Sequence, residues 1–237
     1  MDYKKFLLFG DSITEFAFNS RAQEGESDQF ALGAALCNDY TRKLDIVQRG
    51  FSGYNSRWGL KILPRVLENE QNIVLSTIFF GSNDACLGGH QRVPMEEYAS
   101  NTRKMISMLR EKNIKPILVG PGLIDQERFE APRKEEVERG YIRTNENFEA
   151  YSNKLQQIAT EDKVPFVDLN TAFRREGGEN WRDLFRDGLH FSGKGYEIFY
   201  NELLKSIRKY YPELAPECIP TRLPVWREVA EDGSNVL

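Results

Sequence analysis

Short apolar runs alternating with stretches of helical spacing constrain this chain more than any other feature. Ile73 to Phe80 is a near-continuous apolar run, of the kind found in sheets covered on both faces. Lys5 to Phe9, Leu44 to Gln48, Ile114 to Val119 and Val164 to Leu169 read as four more strands, the fourth in chain order interrupted by Pro116. Between them, Phe30 to Asn38 is rich in Ala and Leu, and Ser56 to Glu70 sets Leu60, Leu63 and Leu67 at helical spacing. Pro94 opens a helix through Leu109, with Met95, Tyr98, Met105 and Leu109 on one side. Thr144 to Glu161 carries Phe148, Tyr151, Leu155 and Ile158 at the same spacing; Ser192 caps a last helix to Tyr211, and Pro212 stops it. Strands alternating with helices predict an α/β fold, a parallel sheet with helices on both faces. Ligands of such sheets bind outside the carboxyl ends of the strands.

Two stretches fall outside this alternation. The connection from Pro121 to Arg143 is charged and poorly periodic, as active-site lids often are. Its Arg128 to Arg139 part alternates charges and reads as a solvated loop or short helix. The tail from Pro212 has prolines at 212, 216, 220 and 224 and is expected to run extended over a surface. Leu223, Val225 and Trp226 are its expected anchors, on this subunit or on a partner. The chain thus divides into a domain over 1–211 and a tail over 212–237.

Composition excludes several classes. At 237 residues, 40% hydrophobic and 29% charged, the chain is long enough for a large core and too apolar for a disordered one. A net charge of -4 is too mild to imply nucleic acid or an anionic membrane surface as partner. No apolar run approaches the roughly 20 residues of a membrane span. Met1 to Phe6 leads directly into a strand, without signal-peptide architecture. Cys37, Cys86 and Cys218 are odd in number and lack paired or metal-type spacing, which suits reduced thiols. Together these features favour the cytoplasm.

Histidine is scarce: His90 and His190 are the only two. Gly10-Asp11-Ser12-Ile13 follows the first strand directly, so Ser12 falls where a helix begins, with its backbone N–H free to donate. Alone, this motif equally describes a serine helix cap. After the second strand, Gly50-Phe51-Ser52-Gly53 offers an unencumbered backbone N–H at Gly53, or simply a strand-to-helix turn. The third strand ends in Gly81-Ser82-Asn83-Asp84, where Asn83 could aim its amide at the same point and Asp84 could cap the next helix. Asp187-Gly188-Leu189-His190 then supplies an imidazole and a carboxylate just before the final helix. A serine nucleophile needs an imidazole to take its proton, and the imidazole needs a carboxylate to fix its tautomer. An ester oxygen becoming an oxyanion needs preorganised donors, each worth roughly 10²–10³ in rate. Position carries the reading: nucleophile, backbone donor and amide donor follow three separate strands, where such a sheet binds its ligands.

Other residues carry less. His90 sits among Gly88, Gly89 and Gln91 with no carboxylate at fixed spacing, which suits a pocket wall better than a base. Cys86 reads as a structural or idle thiol rather than a nucleophile. Asp11, Asp84, Asp187 and the histidines could be read as a metal cluster for phosphoester hydrolysis. Dinuclear sites need more histidine than this, and no Asp-x-His or His-x-His pair occurs. Phe16, Phe18 and Phe51 adjoin the blocks and suit either pocket lining or core packing.

On these four blocks the chain resembles the SGNH hydrolases, also called GDSL esterases and lipases. Gly10 to Ile13, Gly53, Gly81 to Asp84 and Asp187 to His190 match the family's blocks in order, and none is missing. The resemblance implies a three-layer α/β/α sandwich of flavodoxin-like type around a central five-stranded parallel sheet. It also implies a catalytic triad of Ser12, His190 and Asp187, an oxyanion hole of Ser12, Gly53 and Asn83, and no metal or organic cofactor. Phe6 to Phe18, Asp45 to Pro64, Gly120 to Asp125, Arg143 to Tyr151, Asp187 to Leu204 and the closing Asp232 to Asn235 further resemble one branch of that family. That branch implies a small ester substrate, a short-chain acetate ester of an alcohol, and a homodimer. A sugar O-deacetylase or thioesterase would use the same machinery. The readings from other classes are the metal-dependent phosphoesterase and a non-catalytic binding module, the latter disfavoured because every catalytic position is filled.

Overall fold

The computed structural model describes residues 2–21 and 27–236; Met1 and 22–26, within the expected domain over 1–211, and Leu237, in the expected tail, lie outside it. β1 (Lys4–Gly10) leads into α1 (Ser12–Glu15), followed by α2 (Leu32–Asp39), β2 (Leu44–Gly50), α3 (Ser56–Asn69), β3 (Ile73–Phe79) and α4 (Met95–Glu111). Then come β4 (Lys115–Val119), α5 (Gln126–Glu130), α6 (Lys134–Glu138), α7 (Asn145–Glu161), β5 (Phe166–Val167), α8 (Leu169–Gly177) and α9 (Gly193–Tyr210). The strands form one five-stranded sheet in the order β2-β1-β3-β4-β5, every pairing parallel. This is the expected α/β/α sandwich.

The sheet is buried on both faces because its inner strands are apolar at odd and even positions alike. Leu7, Phe9, Ile78 and Leu118 face the layer of α3, α4 and α7 through Leu63, Leu67, Met105, Leu109, Leu155 and Ile158. Phe6, Leu8, Phe79, Ile117 and Val119 face the opposite layer of α1, α2, α8 and α9 through Ile13, Leu36, Phe173, Phe199 and Leu203. Side-chain caps set several helix starts: Asn55 accepts from the Trp58 N–H, Thr144 from Asn147, Asp168 from Thr171 and Ser192 from Gly195.

The order places β1 between β2 and β3, so the chain passes from β1 out to β2 and then back across β1 to β3. The crevice at that reversal lies beyond the carboxyl ends of β1 and β3, where parallel sheets bind ligands.

Three expectations change in detail. The fifth strand, expected over Val164 to Leu169, pairs only at Phe166–Val167. Pro165 has no N–H to give, and Asp168 already caps α8 through its bond with the Thr171 N–H. Helix α8 itself was not expected, although Leu169, Ala172 and Phe173 are buried at helical spacing. Pro116 leaves β4 intact because it stands at the strand's second residue, and its carbonyl accepts the Tyr211 hydroxyl at 3.0 Å.

The 121–143 connection is bonded to the segment that leads into His190. It contains α5 and α6, and the Asp125 N–H donates to the Gly188 carbonyl at 2.8 Å. Arg128 donates to the carbonyls of Phe185 and Arg186. In the tail, Arg42 donates to the carbonyls of Arg222, Leu223 and Pro224, and Tyr40 donates to Leu214. Ala215 is buried, whereas Leu223, Val225 and Trp226 are 43%, 46% and 74% exposed on the single chain. Among the described residues no helix is long and apolar enough to cross a membrane.

Candidate active site

Ser12 opens α1 directly after β1. Asp11 caps that helix, its Oδ1 accepting the Ile13 N–H at 2.9 Å. The turn is tight because Gly10 lacks a Cβ: one placed there would stand 2.2 Å from Thr14 Oγ1 and 2.5 Å from the Phe79 carbonyl oxygen. Two longer-range bonds hold α1. The Tyr196 hydroxyl of α9 donates to the Ile13 carbonyl at 2.7 Å, and Gln48 Nε2 of β2 donates to that of Glu15 at 2.6 Å.

His190 meets this serine from the far end of the chain. Its Nε2 lies 2.9 Å from Ser12 Oγ, and its Nδ1 lies 2.9 Å from Asp187 Oδ2. Asp187 Oδ1 accepts the N–H groups of Leu189 and His190 at 3.1 and 2.9 Å, so the short loop folds back on its own carboxylate. Burial acts to raise the Asp187 pKa, but the hydrogen bond and charge of His190, with those two N–H donors, outweigh it and hold the carboxyl well below the usual range. Arg133 adds an ion pair to Oδ2 at 3.2 Å. The Phe16 ring stands edge-on to the imidazole, with centroids 5.1 Å apart.

The expected donors form a second group. Gly53 adopts φ +76°, a left-handed conformation that glycine enters freely, on the loop after β2. Asn83 follows β3 and donates from Nδ2 to the Tyr54 carbonyl at 2.8 Å. Gln91 joins the two, its Nε2 donating to the Gly53 carbonyl at 2.9 Å and to Asn83 Oδ1 at 3.3 Å. Arg143, 3% exposed, donates to Asn83 Oδ1 at 2.9 Å, Gln91 Oε1 at 2.7 Å and the Ser82 carbonyl at 3.1 Å. The backbone N–H groups of Ser12 and Gly53 have no hydrogen-bond partner among the described residues. No hydrogen bond joins Gly53 or Asn83 to Ser12 directly. Their loops are instead laced at the backbone: Phe51 N–H donates to the Gly10 carbonyl at 3.0 Å and Asp11 N–H to that of Phe79 at 3.3 Å.

Two further carboxyls lie beneath the site. Burial pushes Asp11 and Asp84 each up to about 7. Asp84 accepts the Ser56 N–H on both oxygens at 3.0 Å, whereas Asp11 Oδ2 is buried without a partner. Asp84 thus braces the start of α3.

Gln91, Arg133 and Arg143 were missed by the sequence reading. A charged or amide side chain in a loop gives no local sign that it will be buried. The nearest signal was chain position, since Gln91 and Arg143 flank the loops that follow β3 and β4. The other weighed residues separate cleanly. His90 is exposed, its Nδ1 against the Tyr141 hydroxyl and its ring 5.5 Å from that of Trp58. Cys86 is buried, its Sγ 3.8 Å from the Gly140 carbonyl. Phe51 packs on Phe9 and Tyr54, and Phe18 is 39% exposed. Among the described residues no group of three or more His, Cys, Asp or Glu side chains is disposed to hold a metal ion. A cavity of about 880 Å³ opens beside His190, lined by the aromatic Phe16, Phe30 and Phe185 and by the charged Arg128, Asp183, Lys194 and Glu197.

A hydroxyl, an imidazole and a carboxylate in one hydrogen-bonded line, at the carboxyl edge of a parallel sheet, place this molecule among hydrolases of the serine type. More particularly, the chain belongs to the GDSL-like Lipase/Acylhydrolase family, whose profile matches residues 8–198, and it is a carboxylic ester hydrolase of the SGNH type. It is 58% identical over 237 residues to the isoamyl acetate-hydrolyzing esterase of Saccharomyces cerevisiae, covering 100% of both chains. It is 35% identical over 240 residues to the human isoamyl acetate-hydrolyzing esterase 1 homolog, covering 97% of this chain and 89% of that one. Among solved structures, a lipase/acylhydrolase from Enterococcus faecalis superposes with TM-score 0.68 at 23% identity, covering 93% of this chain and 100% of that one. A catalytic mutant of an acetylxylan esterase from Geobacillus stearothermophilus gives TM-score 0.66 at 21% identity over 86% and 94%. These two likenesses establish the shared fold.

Proposed function

We propose that Ser12, His190 and Asp187 form the catalytic triad of an esterase for short-chain acetate esters such as isoamyl acetate. The observation that carries the reading is the line Ser12 Oγ, His190 Nε2, His190 Nδ1, Asp187 Oδ2, with both steps at 2.9 Å. His190 takes the Ser12 proton as Oγ attacks the ester carbonyl, and Asp187 steadies the imidazolium. The N–H groups of Ser12 and Gly53 and the amide of Asn83 receive the tetrahedral oxyanion. His190 returns the proton to the departing alcohol, and water repeats the sequence on the acyl-enzyme. This chemistry calls for no metal or organic cofactor.

The alcohol leaves on the side of the group that protonates it, so the cavity beside His190 is its place. Phe16, Phe30 and Phe185 offer an alkyl chain an apolar wall. The acetate assignment is supported by the name of the 58% identical relative. The cavity's charged lining residues favour a second reading, in which an acetylated sugar binds there by its hydroxyls.

Residues 1–211 are read as the hydrolase domain and 212–237 as a tail that carries Leu223, Val225 and Trp226 to a second copy of the chain. The proposed assembly is a cytoplasmic homodimer, and sedimentation of the full chain tests it.

Incubation with a fluorophosphonate followed by mass spectrometry tests the nucleophile. A single adduct on Ser12, absent from Ser12→Ala, is expected together with loss of ester turnover in that variant. Turnover surviving in Ser12→Ala removes the assignment. A panel of acetate through octanoate esters, with acetylated xylose beside isoamyl acetate, separates the two substrate readings.

A further inference from the structure

Of the three proposed oxyanion donors, Ser12 and Gly53 give backbone N–H groups, whose directions are set by the chain. Asn83 gives a side-chain amide, and an amide can turn over, putting an acceptor where a donor is needed at almost no change in shape. Something must therefore read its orientation.

We propose that Arg143 is a positioning residue that locks the Asn83 amide with its NH₂ toward the oxyanion. The proposal rests on the reading of Asn83 as an oxyanion donor. A guanidinium has donors only, so the atom of Asn83 that faces Arg143 at 2.9 Å has to be the oxygen. Turning the amide over would set NH₂ against a buried cation. The same guanidinium fixes Gln91 by the same rule, since Gln91 Oε1 faces it at 2.7 Å. Gln91 Nε2 is thereby committed to Asn83 Oδ1 and to the Gly53 carbonyl. The Tyr54 carbonyl, which accepts from Asn83 Nδ2 at 2.8 Å, holds the nitrogen side of the same orientation, so the cation acts on the oxygen side of two amides in series and ties together the loops that carry two of the three donors.

The charge itself points the same way. Arg143 is 3% exposed, and its hydrogen-bond acceptors are all neutral: Asn83 Oδ1, Gln91 Oε1 and the Ser82 carbonyl. Asp11 and Glu136 act on it through space, but no carboxylate accepts a hydrogen bond from it, and burying a cation without such a pair is costly. Behind the amide that meets a developing oxyanion, its field polarises the Asn83 N–H bonds and favours the charge that appears only in the transition state.

Steady-state kinetics on Arg143→Lys, Asn83→Ala and the double variant provide the test. Lys keeps a charge but cannot bond both amides in a fixed fork. Asn83→Ala is expected to lower kcat about 10²–10³-fold. Arg143→Lys is expected to lower kcat by about 10²-fold with KM nearly unchanged, and to add nothing further in the Asn83→Ala background. Should Arg143→Lys fail to fold, Gln91→Ala removes one limb of the bracket and is expected to show a smaller kcat loss, reduced in the Asn83→Ala background to the part that runs through the Gly53 carbonyl it also holds. Losses that multiply with that of Asn83→Ala, or wild-type kcat in both Arg143→Lys and Gln91→Ala, overturn the proposal while leaving the oxyanion hole standing. Wild-type kcat in Asn83→Ala instead overturns the reading of Asn83 and this proposal with it.

Discussion

His190 Nε2 stands 2.9 Å from Ser12 Oγ across 178 residues of chain. The contact joins the first turn after β1 to the loop before α9. Helix α9 secures both ends, because it starts three residues after His190 and its Tyr196 hydroxyl holds the Ile13 carbonyl. The alignment of Ser12 with His190 is thus a property of the α9 face of the sandwich, and in the proposed triad the loop of Asp187 sets the ring's rotation and tautomer.

Asp187→Asn tests that last role. The amide's NH₂ would face Nδ1 and favour the wrong tautomer, so kcat is expected to fall by about 10⁴-fold with KM near wild type. Because His190 holds the native carboxyl well below its ordinary range, Asp187 stays ionised across neutral and mildly acidic pH. The stability it contributes is present above the unfolded carboxylate value and is lost as pH falls below it. Parallel kinetics and acid-denaturation curves check both statements.

Phe16→Ala opens the wall beside His190, whose ring lies 5.1 Å from that of Phe16. Esters of branched alcohols are expected to lose about tenfold in kcat/KM, the equivalent of ~1.4 kcal/mol of apolar contact. Methyl acetate, too short to reach that wall, is expected to change little. An equal loss on both esters would show that Phe16 acts through the imidazole instead.

Asp11 governs a different observable. Its pKa is pushed up to about 7 by burial and then by Asp84, so between pH 4 and 7 the folded state binds a proton that the unfolded state has released. Stability from this group is complete below about pH 4 and declines as pH rises through 7, by up to roughly 1.4 kcal/mol per pH unit. Asp11→Asn removes the titration, so its urea midpoint is expected to fall less than wild type between pH 5 and 8. Parallel profiles for the two proteins would mean that Asp11 is ionised in the fold.

Tyr196→Phe deletes the bond from α9 to the Ile13 carbonyl and leaves a buried acceptor without a partner. A cost of about 1–3 kcal/mol in urea unfolding is expected. Since α1 carries Ser12, the fluorophosphonate labelling rate is expected to fall as well. Loss of stability with an unchanged labelling rate would show that β2 alone, through Gln48, is enough to seat α1.

The parts of the site that were legible in the sequence are those with local causes. Ser12, Gly53 and Asn83 each follow a strand of recognisable apolarity, and Asp187 and His190 lie three residues apart before a capped helix. Arg143 was not legible, because an arginine in a polar loop looks the same whether it ends in solvent or 3% exposed beneath an amide. Arg133 likewise belongs to a charged run that reads as solvated, yet it pairs with Asp187. Helix α8 was hidden because the same apolar residues that continue β5 on paper open a helix once Asp168 caps it.

The sequence by itself determined the class of fold, the family and the side chains of the candidate site. Periodicity is a property of neighbouring residues, and the Asp187–His190 spacing is closed by bonds within one short loop. Only the tertiary structure decided what aims those groups. The meeting of Ser12 with His190 and the bracket of Arg143 and Gln91 behind Asn83 bring together side chains from separate layers and loops. Burial and hydrogen-bond geometry at such distances exist only after the sheet has closed between its helices.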